Sequence, residues 1–349
     1  MKKKIKLLSL SALAFVVLLV ACVYIDSVNV NQEQPNGTMA PRIQIGETAV
    51  FKVNGHMDIK ENGSEGDMLV VAVLAPKCWN IRENATASYH ADKLLDASEE
   101  QTMSLIPENA SPKNMAGYTW AEALMERFGI GPNRYNDMEW VAWQADVAVP
   151  YFNGSKPDYE ITIRCKMNND NLTASIGFCV NYIGDGLSTN NDCFKVVFSD
   201  PFTVYGGTGE EIDYTKVRFN SVEPSRALQD DLITFTFSGD AFDNDLIDND
   251  RIYFEAVAVT DEGNEYKVSE RSQRTLMQRA NTFSHTYTVT IWPKGFFNIP
   301  NDEVIENIRY IFTNADGSAI VNKSLSDSMS GDIPASDDIP FNFILTCGY

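Results

Sequence analysis

The sequence predicts an all-β protein built from two tandem immunoglobulin-like β-sandwich domains, the first carrying one inserted helix. Three observations favour this class: short runs in which apolar and polar residues alternate, turn residues between them at roughly ten-residue intervals, and a single clear helix signal. A chain of 349 residues is also too long for one small core. We place the boundary at Gly206, where Gly-Gly-Thr-Gly interrupts the strand pattern, and expect domains at 43–206 and 207–349.

Residues 1–21 have the order of a bacterial secretory signal peptide, with a lysine-rich start and an apolar run from Leu7 to Val20. That run is shorter than the roughly 20 residues of a transmembrane helix. The run ends in Leu-Val-Ala-Cys, which resembles a lipobox, so we expect Cys22 to be acylated and to become the first residue of the mature chain. Its acyl chains would anchor the protein in outer-membrane lipid. The polar, non-periodic segment 22–42 predicts a flexible tether.

One helix is predicted over residues 119–128. Thr119 and Glu122 form a capping box, and Gly129 ends the helix. Its apolar residues share one face and should pack across the first sandwich.

The run that follows this helix, Met138 to Val149, alternates like a strand. Trp140 shares a face with Gln144 and Asp146. A flat ring beside an amide and a carboxylate is suited to binding a sugar, so these residues are one candidate glycan site. The alternative is that Trp140 packs beneath the preceding helix.

A second candidate platform lies in the C-terminal domain. Trp292 ends a strand with outward parity, and Phe296 and Phe297 follow within five residues. These rings could form an exposed aromatic surface or could plug the end of the sandwich.

Two further side-chain groups have open interpretations. Five carboxylates crowd one short loop and could bind calcium, although they lack the spacing of an EF-hand and also suit a solvated acidic loop: Asp240, Asp243, Asp245, Asp248 and Asp250. Cys179 and Cys193 are equidistant from Gly186 in a polar run. If that run is a hairpin loop, a disulfide between them is geometrically possible.

The formal net charge of −20 disfavours nucleic-acid partners, because so acidic a surface repels phosphate. It is compatible with a neutral ligand such as a sugar. We find no nucleophile–base constellation and predict a protein that is not an enzyme and needs no cofactor, with calcium as the one possible ion.

The lipobox, the polar segment after it, the tandem sandwiches and the phrase Ile308-Arg-Tyr-Ile-Phe-Thr-Asn-Ala-Asp-Gly317 resemble surface lipoproteins that Bacteroidota encode beside starch-utilisation-type outer-membrane transporters. The resemblance implies a cell-surface lipoprotein that binds polysaccharide or oligosaccharide through exposed aromatics and supports glycan capture beside the transporter. The acidic export signal of that family is reduced to Asp26, which leaves the periplasmic face open.

Two other functions remain as alternatives. One is a structural or assembly subunit of an outer-membrane complex that binds no glycan. The other is a glycoside hydrolase, which requires two carboxylates about 5 to 10 Å apart. Asp137, Glu139 and Asp146 are the carboxylates nearest to Trp140 in sequence.

Overall fold

The computed structural model describes residues 21–59, 67–92, 94, 99–150, 154–280, 284–330 and 338–345. The described chain is almost entirely β, as predicted. Residues 1–20 of the signal peptide lie outside the described residues. Among the described residues, no helix is both long enough and apolar enough to cross a membrane.

The first domain is built on one eleven-stranded sheet, in the order β1-β5-β10-β7-β8-β9-β6-β11-β12-β4, with β13 beside β11. Its strands are β1 Ala21–Asn29, β2 Gln32–Glu33, β3 Met39–Ala40, β4 Arg42–Gln44, β5 Thr48–Ile59, β6 Leu69–Pro76, β7 Ala85–Ala91, β8 Gln101–Leu105, β9 Met138–Ala145, β10 Asp158–Lys166, β11 Asp170–Tyr182, β12 Lys195–Tyr205 and β13 Thr208–Asp213. The two-residue strands β2 and β3 pair with each other. Its helices are a 3₁₀ turn Lys77–Trp79, α1 Ile81–Asn84 and α2 Trp120–Phe128.

The large sheet folds over so that its two halves face each other as the layers of a sandwich. Phe51 of β5 lies with its ring 6.1 Å from Phe178 of β11 and 5.2 Å from Phe202 of β12, although these strands are far apart in the sheet order. At the rim, the Val23 N–H of β1 donates to the carbonyl of Asp192, just before β12. One continuous sheet therefore supplies both walls of the core.

The segment predicted as a tether is part of this domain. Strand β1 pairs antiparallel with β5, and Val23 is completely buried. Further on, the Gln32 amide donates to the Val50 carbonyl and accepts from the Val50 N–H, at 2.9 and 3.0 Å. The prediction of a flexible 22–42 segment is corrected, because backbone pairing and a buried amide fix a stretch whose composition is polar.

The domain boundary also differs from the predicted one. Strand β13 runs parallel to β11 in the first sheet, and Tyr214 belongs to the first core. Phe219 is the first residue of the second core. The junction is therefore at 215–218 rather than at Gly206, because the chain adds one more strand to the first sheet after the glycine-rich turn.

The second domain is an immunoglobulin-like sandwich of two sheets, β14-β15-β19-β18 and β17-β16-β20 with β21 and β22 both beside β20. Its elements are β14 Asn220–Glu223, β15 Ile233–Ser238, β16 Tyr253–Thr260, β17 Glu265–Val268, β18 Gln278–Arg279, β19 Thr286–Ile291, α3 Pro293–Phe297, β20 Ile305–Thr313, β21 Ile320–Val321, α4 Lys323–Ser330 and β22 Phe341–Ile344. Aromatic rings fill the space between the sheets, with Phe235 at 4.7 Å from Phe254 and 4.9 Å from Tyr310.

Helix α2 begins and ends where its local signals predict. The Thr119 hydroxyl accepts from the Glu122 N–H, and the Glu122 carboxylate accepts from the Thr119 N–H at 2.8 Å. The helix buries Trp120, Ala123 and Leu124 against the sheet. It thereby covers the face of β9 on which a glycan site was predicted.

Candidate functional site

Trp140 is in the core rather than on a polar surface. Its side chain is 2% exposed, its indole N–H donates to the Gly129 carbonyl at 3.1 Å, and its ring meets the edges of Phe128 and Phe198. The expectation that Trp140 is exposed is corrected, and the alternative that it packs beneath the helix is confirmed. Strand β9 is covered on both faces, which alternation along the sequence cannot reveal.

Gln144 and Asp146, the proposed partners of Trp140, make other contacts. The Gln144 amide approaches the sulfur of Met68 at 2.9 Å, and Asp146 accepts from the Thr102 hydroxyl at 2.5 Å. The structure therefore does not bring the first candidate glycan site together.

Trp292 is the exposed tryptophan of this protein. All five tryptophans lie within the described residues, and Trp292 is 49% exposed whereas the other four are at most 4% exposed. Phe296 and Phe297 are buried and pack on each other, with Phe296 also near Phe254. Helix α3 turns these two rings into the core, so they plug the sandwich and do not extend a platform.

The Trp292 ring packs closely against a glycine. A Cβ atom at Gly295 would come within 2.3 Å of ring atom Cε3 of Trp292, a distance no real side chain tolerates. Ring atoms Cε3 and Cζ3 therefore pack close to the Gly295 backbone, while about half of the Trp292 side chain stays exposed at 49%. Gly295 is required for this orientation, a role that the sequence alone did not indicate.

A face of hydroxyl side chains leads up to this ring. Strands β15 and β19 pair so that hydroxyl residues stand opposite one another on the outer side of the sheet, and we call this set the threonine face: Thr234 with Thr290, Thr236 with Thr288, and Ser238 with Thr286. The hydroxyls of Thr234 and Thr290 are 2.8 Å apart. Trp292 is two residues after Thr290 and keeps the same parity, so ring and hydroxyls lie on one surface.

A cleft lies between the two domains. This interdomain cleft has a volume of about 460 Å³ and receives side chains from both domains. Tyr135, Tyr214 and Tyr310 border it together with four carboxylates and two guanidinium groups, namely Asp137, Asp170, Glu211, Glu223, Arg218 and Arg226. Ligand sites commonly occur at such domain junctions. No sequence motif indicates this cleft, because its residues are spread from Tyr135 to Leu345.

Burial perturbs the ionisation of several groups in the cleft. It raises the pKa of Asp170, partly offset by the Arg226 guanidinium, whose Nε lies 3.3 Å from Asp170 Oδ1. Burial also raises the pKa of Glu223, and the nearby Asp137 carboxylate adds to this shift. The pKa of Tyr135 rises to about 12 for the same reason. Partly desolvated carboxylates of this kind favour a positively charged or hydrogen-bond-donating ligand.

The aspartate loop is not arranged as a preformed metal site. Its five carboxylates are exposed, and Asp240 accepts from the backbone N–H and Nδ1 of His285 at 2.8 and 2.6 Å. The Asn244 side chain donates to two carbonyls within the loop and accepts from the Leu246 N–H, which holds the chain with its aspartates outward. Within the described residues no three His, Cys, Asp or Glu side chains gather as metal ligands. Calcium binding stays a prediction.

The predicted disulfide is absent between the two cysteines concerned. In the β11–β12 hairpin Cys179 lies opposite Val196, three residues from the register that would place it opposite Cys193. Both cysteines are buried, and no bond joins their sulfur atoms. The strands do not pair symmetrically about Gly186, although the two cysteines are equally far from it in the sequence.

Three solved structures show the level of similarity. The C-terminal domain of the antigen I/II-family protein AspA of Streptococcus pyogenes is 11% identical, with 86% of this chain and 97% of that chain covered and a TM-score of 0.27. The major pilin subunit BcpA of Bacillus cereus is 10% identical over 94% of this chain and 67% of that chain, with a TM-score of 0.26. AvmM, described as catalysing macrocyclization in alchivemycin A biosynthesis, is 13% identical over 55% and 91%, with a TM-score of 0.28. At such TM-scores these likenesses support no inference about this chain.

None of the curated proteins matches the chain. Two family models do, and both describe domains of unknown function. Residues 220–321 match the family DUF8578. Residues 23–218, more than half of the chain, match DUF4961. The chain belongs to the DUF4961 family.

Proposed function

We propose that this protein is a non-catalytic, lipid-anchored surface protein that binds an extended polysaccharide or oligosaccharide across the threonine face, with Trp292 as the stacking ring. The observation that carries the proposal is the Trp292 ring, packed beside Gly295 and exposed at the end of a row of hydroxyl groups. The glycan would be captured in this way beside an outer-membrane transporter.

The exposed ring has an energetic cost that supports a binding role. Burying a tryptophan removes about 150–250 Å² from water, so a half-exposed ring leaves on the order of 100 Å² uncovered. At about 25 cal/mol per Å², roughly 2–3 kcal/mol of hydrophobic stabilisation is not used in folding. A sugar that stacks on this ring would recover part of it, and the neighbouring hydroxyls can donate to and accept from sugar hydroxyls.

The net charge of the chain agrees with a neutral ligand. At −20 the protein repels anionic polymers, whereas an uncharged glycan experiences no such repulsion. The threonine face itself carries no formal charge.

The anchor would be the acylated Cys22. Because strand β1 spans Ala21–Asn29 and already pairs with β5, an anchor at Cys22 holds the first domain close to the membrane rather than on a long tether. A Cys22→Ser variant should leave the membrane fraction and appear in the soluble fraction.

The test is a polysaccharide panel in affinity gels and calorimetry, using the soluble chain from Val23 onward, with and without calcium. We expect retention by at least one neutral glycan and its loss in Trp292→Ala. Tyr118→Ala is the matched control, because Tyr118 is 43% exposed and lies outside the threonine face. Release of reducing ends would instead indicate a hydrolase. Equal retention of wild type and Trp292→Ala would contradict the proposed site.

A further inference from the structure

The interdomain cleft is bordered by the free edges of two strands. Among the described residues, β14 pairs with β15 alone and β22 pairs with β20 alone, so each is the last strand on its side of a sheet. Residues 220–223 of β14 and 342–345 at the end of β22 both line the cleft. An open strand edge offers unpaired N–H and C=O groups to another extended chain.

The register shows which groups of β22 point into the cleft. The Leu345 N–H donates to the Glu306 carbonyl of the β20 segment at 2.9 Å. Hydrogen-bonded and non-hydrogen-bonded positions alternate along an antiparallel ladder. The backbone N–H and C=O of Phe343 therefore hydrogen-bond to β20, whereas those of Asn342 and Ile344 point to the free edge. Asn342 Oδ1 is also buried without a hydrogen-bond partner.

The same reasoning applies to β14 on the other side of the cleft. The Ser238 N–H donates to the Phe219 carbonyl, so Ser221 bonds toward β15 while Asn220 and Val222 direct their backbone groups away from it. The Asn220 carbonyl accepts from the Tyr135 hydroxyl of the first domain at 3.3 Å. Among the described residues of the first domain, none accepts from or donates to the backbone groups of Val222.

The charge of the cleft favours a basic occupant. Four carboxylates and two guanidinium groups line it, and Lys77 Nζ lies 3.8 Å from Asp137, so carboxylates still exceed cations by one. Arg226 is already engaged by Asp170, and the Arg218 guanidinium donates to the Glu211 carbonyl at 3.3 Å. Glu223 makes no ion pair within 4 Å among the described residues and lies partly buried at the edge of β14.

We propose that the cleft binds an extended, basic segment of a partner protein, which adds as a strand to the free edge of β22. In strand addition, main-chain hydrogen bonds supply affinity and alternate side chains supply specificity. Ile344, 42% exposed beside the cleft, offers an apolar contact, and Glu223 offers a carboxylate to a lysine or arginine. Because side chains of the first domain line the same cleft, this edge is partly shielded from sheet-to-sheet aggregation.

The probe is a positional-scanning library of acetylated hexapeptide amides, screened for binding to the chain from Val23 onward. We expect selection of lysine or arginine at alternate positions. On binding of the selected peptide, amide hydrogen exchange should slow at Asn342 and Ile344, which exchange quickly in the free protein, while Phe343 is protected in both states.

Two variants test the geometry separately. Ile344→Pro removes the N–H at the free edge without removing a bond to β20, and should weaken the selected peptide about tenfold. Glu223→Gln should weaken it about fivefold. Glu262→Gln, an exposed turn glutamate of the same domain, is the matched control and should have no effect. Trp292→Ala should leave peptide binding unchanged, which separates this site from glycan binding.

Three results would overturn the proposal. One is a library that selects no basic peptide, and another is a selected peptide that binds Ile344→Pro and Glu223→Gln as tightly as the wild type. The third is unchanged amide exchange at Asn342 and Ile344 when a selected peptide is bound.

Discussion

Replacing Trp140 by alanine tests whether this ring supports the fold or a ligand. Its side chain is 2% exposed and its indole N–H bonds to the Gly129 carbonyl at the end of helix α2. Removing a buried tryptophan costs about 3–5 kcal/mol, and the lost hydrogen bond adds about 1 kcal/mol. For a domain of about 200 residues each kcal/mol lowers Tm by about 2–4 °C, so Trp140→Ala should lose at least about 6 °C.

The assay is thermal unfolding monitored by calorimetry. Affinity gels are run on the same samples below the transition temperature. Trp292→Ala is the matched variant: removing this half-exposed ring should cost at most about 2–3 kcal/mol, less than Trp140→Ala, and should abolish glycan retention. Trp140→Phe keeps an aromatic ring in the core and should fall between wild type and Trp140→Ala. A Trp140→Ala protein with unchanged Tm and lost glycan retention would refute the assignment of Trp140 to the core.

Three other predictions concern separate parts of the molecule. Gly295→Ala should displace the Trp292 ring and weaken glycan retention without lowering Tm, because alanine favours helix α3; gels and calorimetry measure both effects. Burial raises the pKa of Glu223 above 4.5, so its charged form destabilises the fold at neutral pH; Glu223→Gln should raise Tm at pH 7, and the gap to wild type should close as the pH falls toward 4.5. Cys179 and Cys193 should both be alkylated in denaturant without reductant, as measured by peptide mass mapping. In the folded protein burial raises the pKa of the Cys179 thiol to about 12, so Cys179 should not be alkylated.

Several features were predictable because their signals are local. Alternation of apolar and polar residues is a property of each strand by itself, and it predicted the all-β class. The capping box at Thr119 and Glu122 acts within one helical turn, and it located α2 to within a residue. Alternation along β19 predicted that Trp292 points outward. The residue directly follows the strand and keeps that direction.

Other features depend on which segments meet, and a linear pattern does not encode this. The 22–42 segment is polar, yet β1 within it pairs along β5. Trp140 has the parity of a surface residue, but helix α2 covers that face. The equal spacing of Cys179 and Cys193 about Gly186 suggested a bridge that the actual register excludes.

The sequence by itself therefore determined the class of fold, the position of the helix and the outward ring of Trp292, because short-range sterics and hydrogen bonding set each of these. Only the tertiary structure decided the junction at 215–218 and the cleft with its two open strand edges. Each of these arises where distant segments pack together, and their contact is set by the burial of apolar surface over the whole chain rather than by any local pattern.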